Sequence, residues 1–228
     1  MIALESRARV ARRRHGLGAG VRDLFGWSRA VDPASVPGAV LDAARIPGVL
    51  CERDGGIAGM VRVSRVNGQL FAHSAWPTED ADSVFLGSDS YRFAVFVATN
   101  LPGARPRMRV IDISGGAGVG AVVAAERLPG AQVTMSGVHA KALDFARANA
   151  DCAKVEASLV HARGMEGVEG ALDPALLNPP YIVHPGARAY RDGGDMLGAK
   201  LSLHLASEAL GRFGAQATGA AIYRKRDC

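Results

Sequence analysis

From residue 110 onward, short apolar runs alternate with longer segments of helical spacing. Val110 to Ile113 has the length of a buried strand, and Gly115-Gly116-Ala117-Gly118 breaks it. Residues 119–127 are apolar nearly all round, as in a helix packed on a sheet, and Leu128-Pro129-Gly130 stops them. Val133 to Ser136 reads as a second strand and residues 141–149 as a second helix. Val155, Ala157 and Leu159 alternate in a third strand, and Ala175 to Leu177 forms a fourth. A long helix from about Met196 to Leu210 carries Leu197, Leu201 and Leu205 on one stripe. Upstream, residues 91–99 are apolar and helical. Strands alternating with helices of this length predict an α/β fold with a mainly parallel, doubly wound sheet.

The first 81 residues have another texture. Short helical stretches at residues 21–25 and 38–45 are cut by Gly and Pro. Val61 and Val63 then alternate with Arg62 and Ser64, and Leu70 to Ser74 reads as a return strand. Asn67-Gly68 between them supplies the positive φ angles of a two-residue hairpin turn. The pattern divides the chain into a small α+β module, residues 1–81, and a larger domain, residues 82–228.

Composition narrows the class. No apolar run approaches the roughly 20 residues of a membrane helix, and the first residues lack the apolar stretch expected of a secretory leader. Cys51, Cys152 and Cys228 are far apart and odd in number, which predicts neither a disulfide framework nor a metal cluster. A cytoplasmic protein without membrane contact is expected. The net charge of +5 is concentrated at the ends, in Arg7, Arg9, Arg12, Arg13 and Arg14 and again in Arg224, Lys225 and Arg226. Such arms hold phosphate backbones or simply keep a terminus solvated. His73, His139, His161, His184 and His204 lack metal-ligand spacing, and His184 lies close enough to Tyr181 to line an acceptor pocket.

In an open parallel sheet, ligands bind at the carboxyl ends of the strands, where the turn after the first strand sits. Glycines there bring backbone and helix amides close to a ligand. By itself the stretch from Gly115 to Gly118 suits NAD, FAD, a nucleoside-type methyl donor, or a tight turn with no ligand. The most specific string is Asn178-Pro179-Pro180-Tyr181. An amide or exocyclic amine is a poor nucleophile because its lone pair is delocalised. The Asn178 side-chain oxygen and the Pro179 carbonyl can accept its two hydrogens and orient it. The prolines hold the backbone extended, and Tyr181 can stack on a planar group.

Together these segments resemble class I S-adenosylmethionine-dependent methyltransferases of the methyltransferase small-domain type, which include release-factor glutamine and ribosomal RNA N2-guanine methyltransferases. Asp112 matches the acidic residue of their first motif, and Gly116 and Gly118 match the last two glycines. Phe85-Leu86-Gly87-Ser88-Asp89-Ser90-Tyr91-Arg92-Phe93 and Ala189-Tyr190-Arg191-Asp192-Gly193-Gly194 also resemble segments of bacterial members. The resemblance implies a Rossmann-like sheet and S-adenosylmethionine as cofactor, served by Asp112, Gly116, Gly118 and Tyr91. It implies Asn178, Pro179 and Tyr181 as the catalytic group, no metal, and an acceptor nitrogen on a protein glutamine or a nucleic-acid base. The alternative is a relative that keeps the fold as a binding module.

The sequence departs from the family in four places. Ser114 stands at the first glycine. Gly137 stands where a carboxylate usually holds the ribose. Arg163 lies where an acid often meets the adenine. Only 47 residues follow Tyr181, so the fold is expected to be shortened at its C-terminus.

Overall fold

The computed structural model describes residues 16–78, 80–179 and 199–213. Two compact units divide them: residues 16–64 with 72–78, and residues 65–71 with the described residues from 80 onward.

The first unit is built from short pieces. Arg22–Gly26 forms a single π-helical turn, wider than α-helical spacing, where a short helical stretch is expected at residues 21–25. Helix α1 spans Gly38–Ala44. Strands β1 (Leu50–Arg53) and β2 (Gly56–Gly59) make an antiparallel hairpin that the apolar pattern did not announce. Its turn is Asp54-Gly55, with φ of 51° and 77°. Leu24, Phe25, Val31, Val36 and Ala44 form the core. Strands β3 (Val61–Val66) and β4 (Gln69–Ser74) form a second hairpin, turning at Asn67 and Gly68 with φ of 49° and 87°, as the sequence predicts. On β4, His73 is buried, with Nε2 2.9 Å from the Ser64 hydroxyl. Burial, assisted by the Arg62 charge, pushes its imidazole down to about 4 and keeps it neutral.

The second unit holds the parallel sheet. Its strands are β5 (Arg109–Ile113), β6 (Gln132–Gly137), β7 (Ala157–His161) and β8 (Ala175–Leu177), in the order β7-β6-β5-β8. All three pairings are parallel. The third strand starts at Ala157 rather than Val155, whose amide instead closes the preceding helix onto Ala150. Helices α2 (Ser88–Asn100), α3 (Val119–Arg127), α4 (Ala140–Cys152) and α5 (Lys200–Leu210) complete it.

Strand β5 explains why the sheet is covered on both faces. Val110 packs with Phe93, Val122 and Ala146 of the helices α2, α3 and α4, whereas Ile111 and Ile113 pack with Met165, Leu205 and Ala209 on the α5 side. A strand buried on both faces reads as a continuous apolar run, which is what this one shows. The turn of the second hairpin, residues 65–71, belongs to this unit, where the Asn67 and Gln69 side-chain amides donate to Glu126 of α3, at 3.0 and 2.5 Å. The basic ends at Arg7–Arg14 and Arg224–Arg226 lie outside the described residues.

At the amino edge of the sheet, arginines secure the chain entering β8. The Arg109 guanidinium donates to the carbonyls of Ala171 at 3.0 Å and Glu169 at 2.6 Å. Arg212 donates to the carbonyls of Val168 and Gly170. The Asp173 carboxylate accepts from the Arg109 amide at 2.9 Å and from Arg105 at 3.0 Å.

Candidate active site

The carboxyl edge of the sheet carries Asp112, the glycine turn with Gly116 and Gly118, and the Asn178-Pro179 step. β5 and β8 are hydrogen-bonded neighbours, with Ile113 opposite Leu177. Ser114 and Asn178 therefore leave the sheet side by side, one strand spacing of about 4.8 Å apart. Asn178 is half-buried and Pro179 buried. Tyr181 and His184 lie outside the described residues.

Asp112 carries the glycine turn from below. It is fully buried, and its Oδ2 accepts from the Ala121 amide at 2.9 Å. Ala121 is the third residue of α3, so the carboxylate satisfies an amide that no helical carbonyl can reach. Glycines are needed close by: a Cβ on Gly115 would stand 2.8 Å from Asp112 Oδ2, and one on Gly120 would stand 2.7 Å from it and 2.6 Å from the Phe93 ring. The other oxygen, Oδ1, is buried with no hydrogen-bond partner.

Burial pushes the Asp112 carboxyl up to about 7, the Ala121 hydrogen bond pulling the other way. A carboxyl whose pKa is higher folded than unfolded holds its proton in the fold. Its contribution is complete below the unfolded value of 3.8 and is lost as pH rises through about 7. Asp112→Asn keeps an oxygen for the Ala121 amide and removes the titration. Relative to this variant, wild-type unfolding free energy should fall by on the order of 2–3 kcal/mol between about pH 5 and pH 8. Urea unfolding at the two pH values measures it, and a constant difference would place the carboxyl's titration elsewhere.

The turn itself mixes two kinds of glycine. Gly116, at φ 54°, would point a Cβ into open space, so this side of the turn is accessible. Gly118, at φ 80°, packs against α4: a Cβ would stand 3.1 Å from Met135 Sδ and 3.3 Å from Ala146 Cα. Asn149 of α4 donates to the Ala117 carbonyl at 2.9 Å and braces the turn from the same direction. That brace was not read from the sequence, because an Asn on a helix gives no local sign of its partner. Ser114, where the family carries glycine, has φ 60°, a left-handed conformation costing a non-glycine residue about 1 kcal/mol.

Farther along the edge, Gly137 ends β6 opposite His161 of β7. A Cβ there would meet only Leu143 Cδ2, at 3.9 Å, so a larger side chain fits. Arg163 is exposed on the loop after β7. Lys141, in the first turn of α4, pairs with Asp82 at 2.9 Å and tethers the segment that leads to α2. On α2, Phe93 faces Gly120, whereas Tyr91, two positions earlier and on the opposite side of the helix, is 42% exposed. Among the described residues, no cluster of His, Cys, Asp or Glu could hold a metal, and no helix is long and apolar enough to cross a membrane. An open hollow of about 500 Å³ lined by Arg147, Asp151, Lys154 and Glu156 lies where α4 gives way to β7, apart from this edge.

An orphaned buried carboxylate oxygen, an accessible glycine turn and an adjacent Asn-Pro step fit a nucleoside-type cofactor meeting a planar acceptor. Comparison with known proteins points the same way. Residues 92–196 match the family model of the methyltransferase small domain. A release factor glutamine methyltransferase of Chlorobaculum tepidum is 42% identical over 80 residues, 32% of this chain and 27% of that protein. A ribosomal RNA small subunit methyltransferase C of Haemophilus influenzae is 34% identical over 84 residues, 36% of this chain and 25% of that protein. The matched part thus spans about a quarter of these relatives' length. Among solved structures, an Agrobacterium tumefaciens SAM-dependent methyltransferase superposes with TM-score 0.55 at 16% identity, covering 77% of this chain and 56% of that one. A T. thermophilus 16S rRNA N2 methyltransferase, solved with AdoMet and guanosine, gives TM-score 0.52 at 17% identity over 80% of this chain and 51% of that one. The chain has the Rossmann-like fold of these enzymes, and its residues 92–196 are similar to the methyltransferase small domain.

Proposed function

We propose that this protein transfers a methyl group from S-adenosylmethionine to a planar nitrogen, a glutamine side-chain amide or the exocyclic amine of a nucleic-acid base. The observation that carries the reading is the β5–β8 register, which sets the glycine turn and Asn178 on neighbouring strands at one edge. The names of the two curated relatives, one acting on a release factor and one on ribosomal RNA, support both acceptor classes. A protein glutamine is the slightly favoured one.

When bound, S-adenosylmethionine supplies an electrophilic methyl on a sulfonium. The chain's own groups do the rest. Gly116 and the first amides of α3 offer a surface for the amino-acid end, held in shape by Asp112 and Asn149. The Asn178 side-chain oxygen and the Pro179 carbonyl would accept hydrogen bonds from the acceptor nitrogen and aim its face at the methyl, and Tyr181 is the residue suited to stack on the acceptor plane. Orientation of this kind lowers the barrier without a strong general base. A base in a duplex would first have to leave the stack.

Gly137 favours a second reading, a binding module with little affinity for the cofactor, because a ribose has no carboxylate at that position. Gly137→Asp has room for its side chain and should tighten S-adenosylmethionine binding about tenfold, roughly 1.4 kcal/mol. Calorimetric titration of both proteins checks this; tighter binding by the wild type would remove Gly137 from the ribose position. The reading as a whole is tested by incubating cell extract with the protein and methyl-labelled S-adenosylmethionine. Label on a glutamine or a base is expected, and none in either fraction would favour the binding module.

A further inference from the structure

The loop that follows β7 is clamped from two sides. From the sheet, the buried Ser136 hydroxyl of β6 donates to the Gly164 carbonyl at 2.6 Å. From the helix layer, Glu208 of α5 accepts from the Met165 amide with Oε1 at 3.0 Å. Its carboxylate lies so close on the loop that a Cβ at Gly164 would stand 2.3 Å from Oε2, and Gly164 has φ 57°. Met165 is buried with Leu205 and Ala209 of the same helix, so the apolar face of α5 and its carboxylate grip the loop together. Nothing in the methyl-transfer chemistry uses Glu208. A carboxylate on a half-buried backbone amide is a strong hydrogen bond, and its use here is to fix a loop.

A cofactor that begins at the glycine turn after β5 runs across the edge of the sheet, and in such sheets the ribose meets the end of the next strand. The next strand is β6, ending at Gly137, and beyond it lies the loop after β7. The nucleoside base would then fall beside residues 162–165. We propose that Glu208 is a positioning residue that holds this loop in place for the base of the cofactor. The inference rests on the cofactor reading above. It gives α5, the helix following the Asn178 segment in the chain, a direct part in cofactor affinity. With no carboxylate at Gly137, the fixed loop carries a larger share of that affinity.

The test is calorimetric titration of wild type, Glu208→Ala, Glu208→Gln and Ser136→Ala with S-adenosylmethionine and with methylthioadenosine, which lacks the amino-acid end. Glu208→Ala should raise Kd for both ligands by about tenfold, the scale of one charge-assisted hydrogen bond. Glu208→Gln, which retains an oxygen for the Met165 amide, should stay within about twofold of wild type. Ser136→Ala loosens the other side of the clamp and should weaken both ligands in parallel, which keeps the test open if Glu208→Ala does not fold. Wild-type binding with unchanged Kd in folded Glu208→Ala and Ser136→Ala overturns the positioning role and leaves the cofactor reading intact. A loss confined to S-adenosylmethionine also overturns it, since the loop would then serve the amino-acid end. Failure of the wild type to bind either ligand overturns the cofactor reading, and this inference with it.

Discussion

Asn178→Ala should cut turnover by about a hundredfold or more while leaving S-adenosylmethionine affinity within about twofold of wild type. The two effects separate because the contacts fall on different ligands. Asn178 follows β8 and is proposed to face the acceptor nitrogen, whereas the cofactor is assigned to the turn after β5. Its oxygen would align the nitrogen's lone pair with the methyl, which matters in the transition state and little in binding. Asn178→Asp keeps an acceptor oxygen and adds charge, so it should retain more activity than alanine. Single-turnover rates with saturating cofactor, alongside calorimetric Kd values, check both claims. Full activity in the alanine variant would reduce the Asn-Pro step to a turn.

Gly118→Ala should destabilise the fold by about 2–4 kcal/mol and take cofactor binding with it. Two costs add. The backbone at φ 80° is left-handed, which costs a residue with a Cβ about 1–2 kcal/mol. The new methyl would also press on Ala146 Cα and Met135 Sδ, at 3.3 and 3.1 Å. Ala146 Cα is backbone of α4 and cannot rotate away, so α4 or the turn must shift. Gly116→Ala makes the contrast, because its Cβ would meet nothing and only the backbone strain of φ 54° applies. Denaturant midpoints for the two variants measure the difference; equal midpoints would mean that α4 yields freely.

The sheet was legible because β5 and β8 are buried on both faces and so read as apolar runs, because β7 alternates, and because glycines mark the ends of β5 and α3. Asn67-Gly68 was found for the same kind of reason, a turn pair between alternating segments. Asp54-Gly55 is an equally good turn pair and was missed. Its flanking strands have four residues each, and Cys51-Glu52-Arg53 hides their alternation. The start of the third strand was misplaced by two residues because Val155 continues its alternation while its amide belongs to the end of α4. At the site, Asp112 and Asn178 stood out because each occupies a motif. Asn149, Ser136 and Glu208 did not, since each acts on a backbone group at least 28 residues away in the chain. Local pattern holds no record of such partners.

β8 is a three-residue strand, too short for its own ladder to resist slippage. A slip of one residue would carry Asn178 about 3.3 Å along the sheet and turn its side chain to the opposite face. What prevents it sits at the other end, where Arg109 and Arg212 hold the carbonyls of residues 168–171 and Asp173 is pinned beside β5. Those arginines serve as a datum line, and the strand as a gauge of fixed length measured from it. The reach of Asn178 toward the proposed acceptor site is thus set roughly 16 Å away, on an edge of the sheet that no ligand need ever touch.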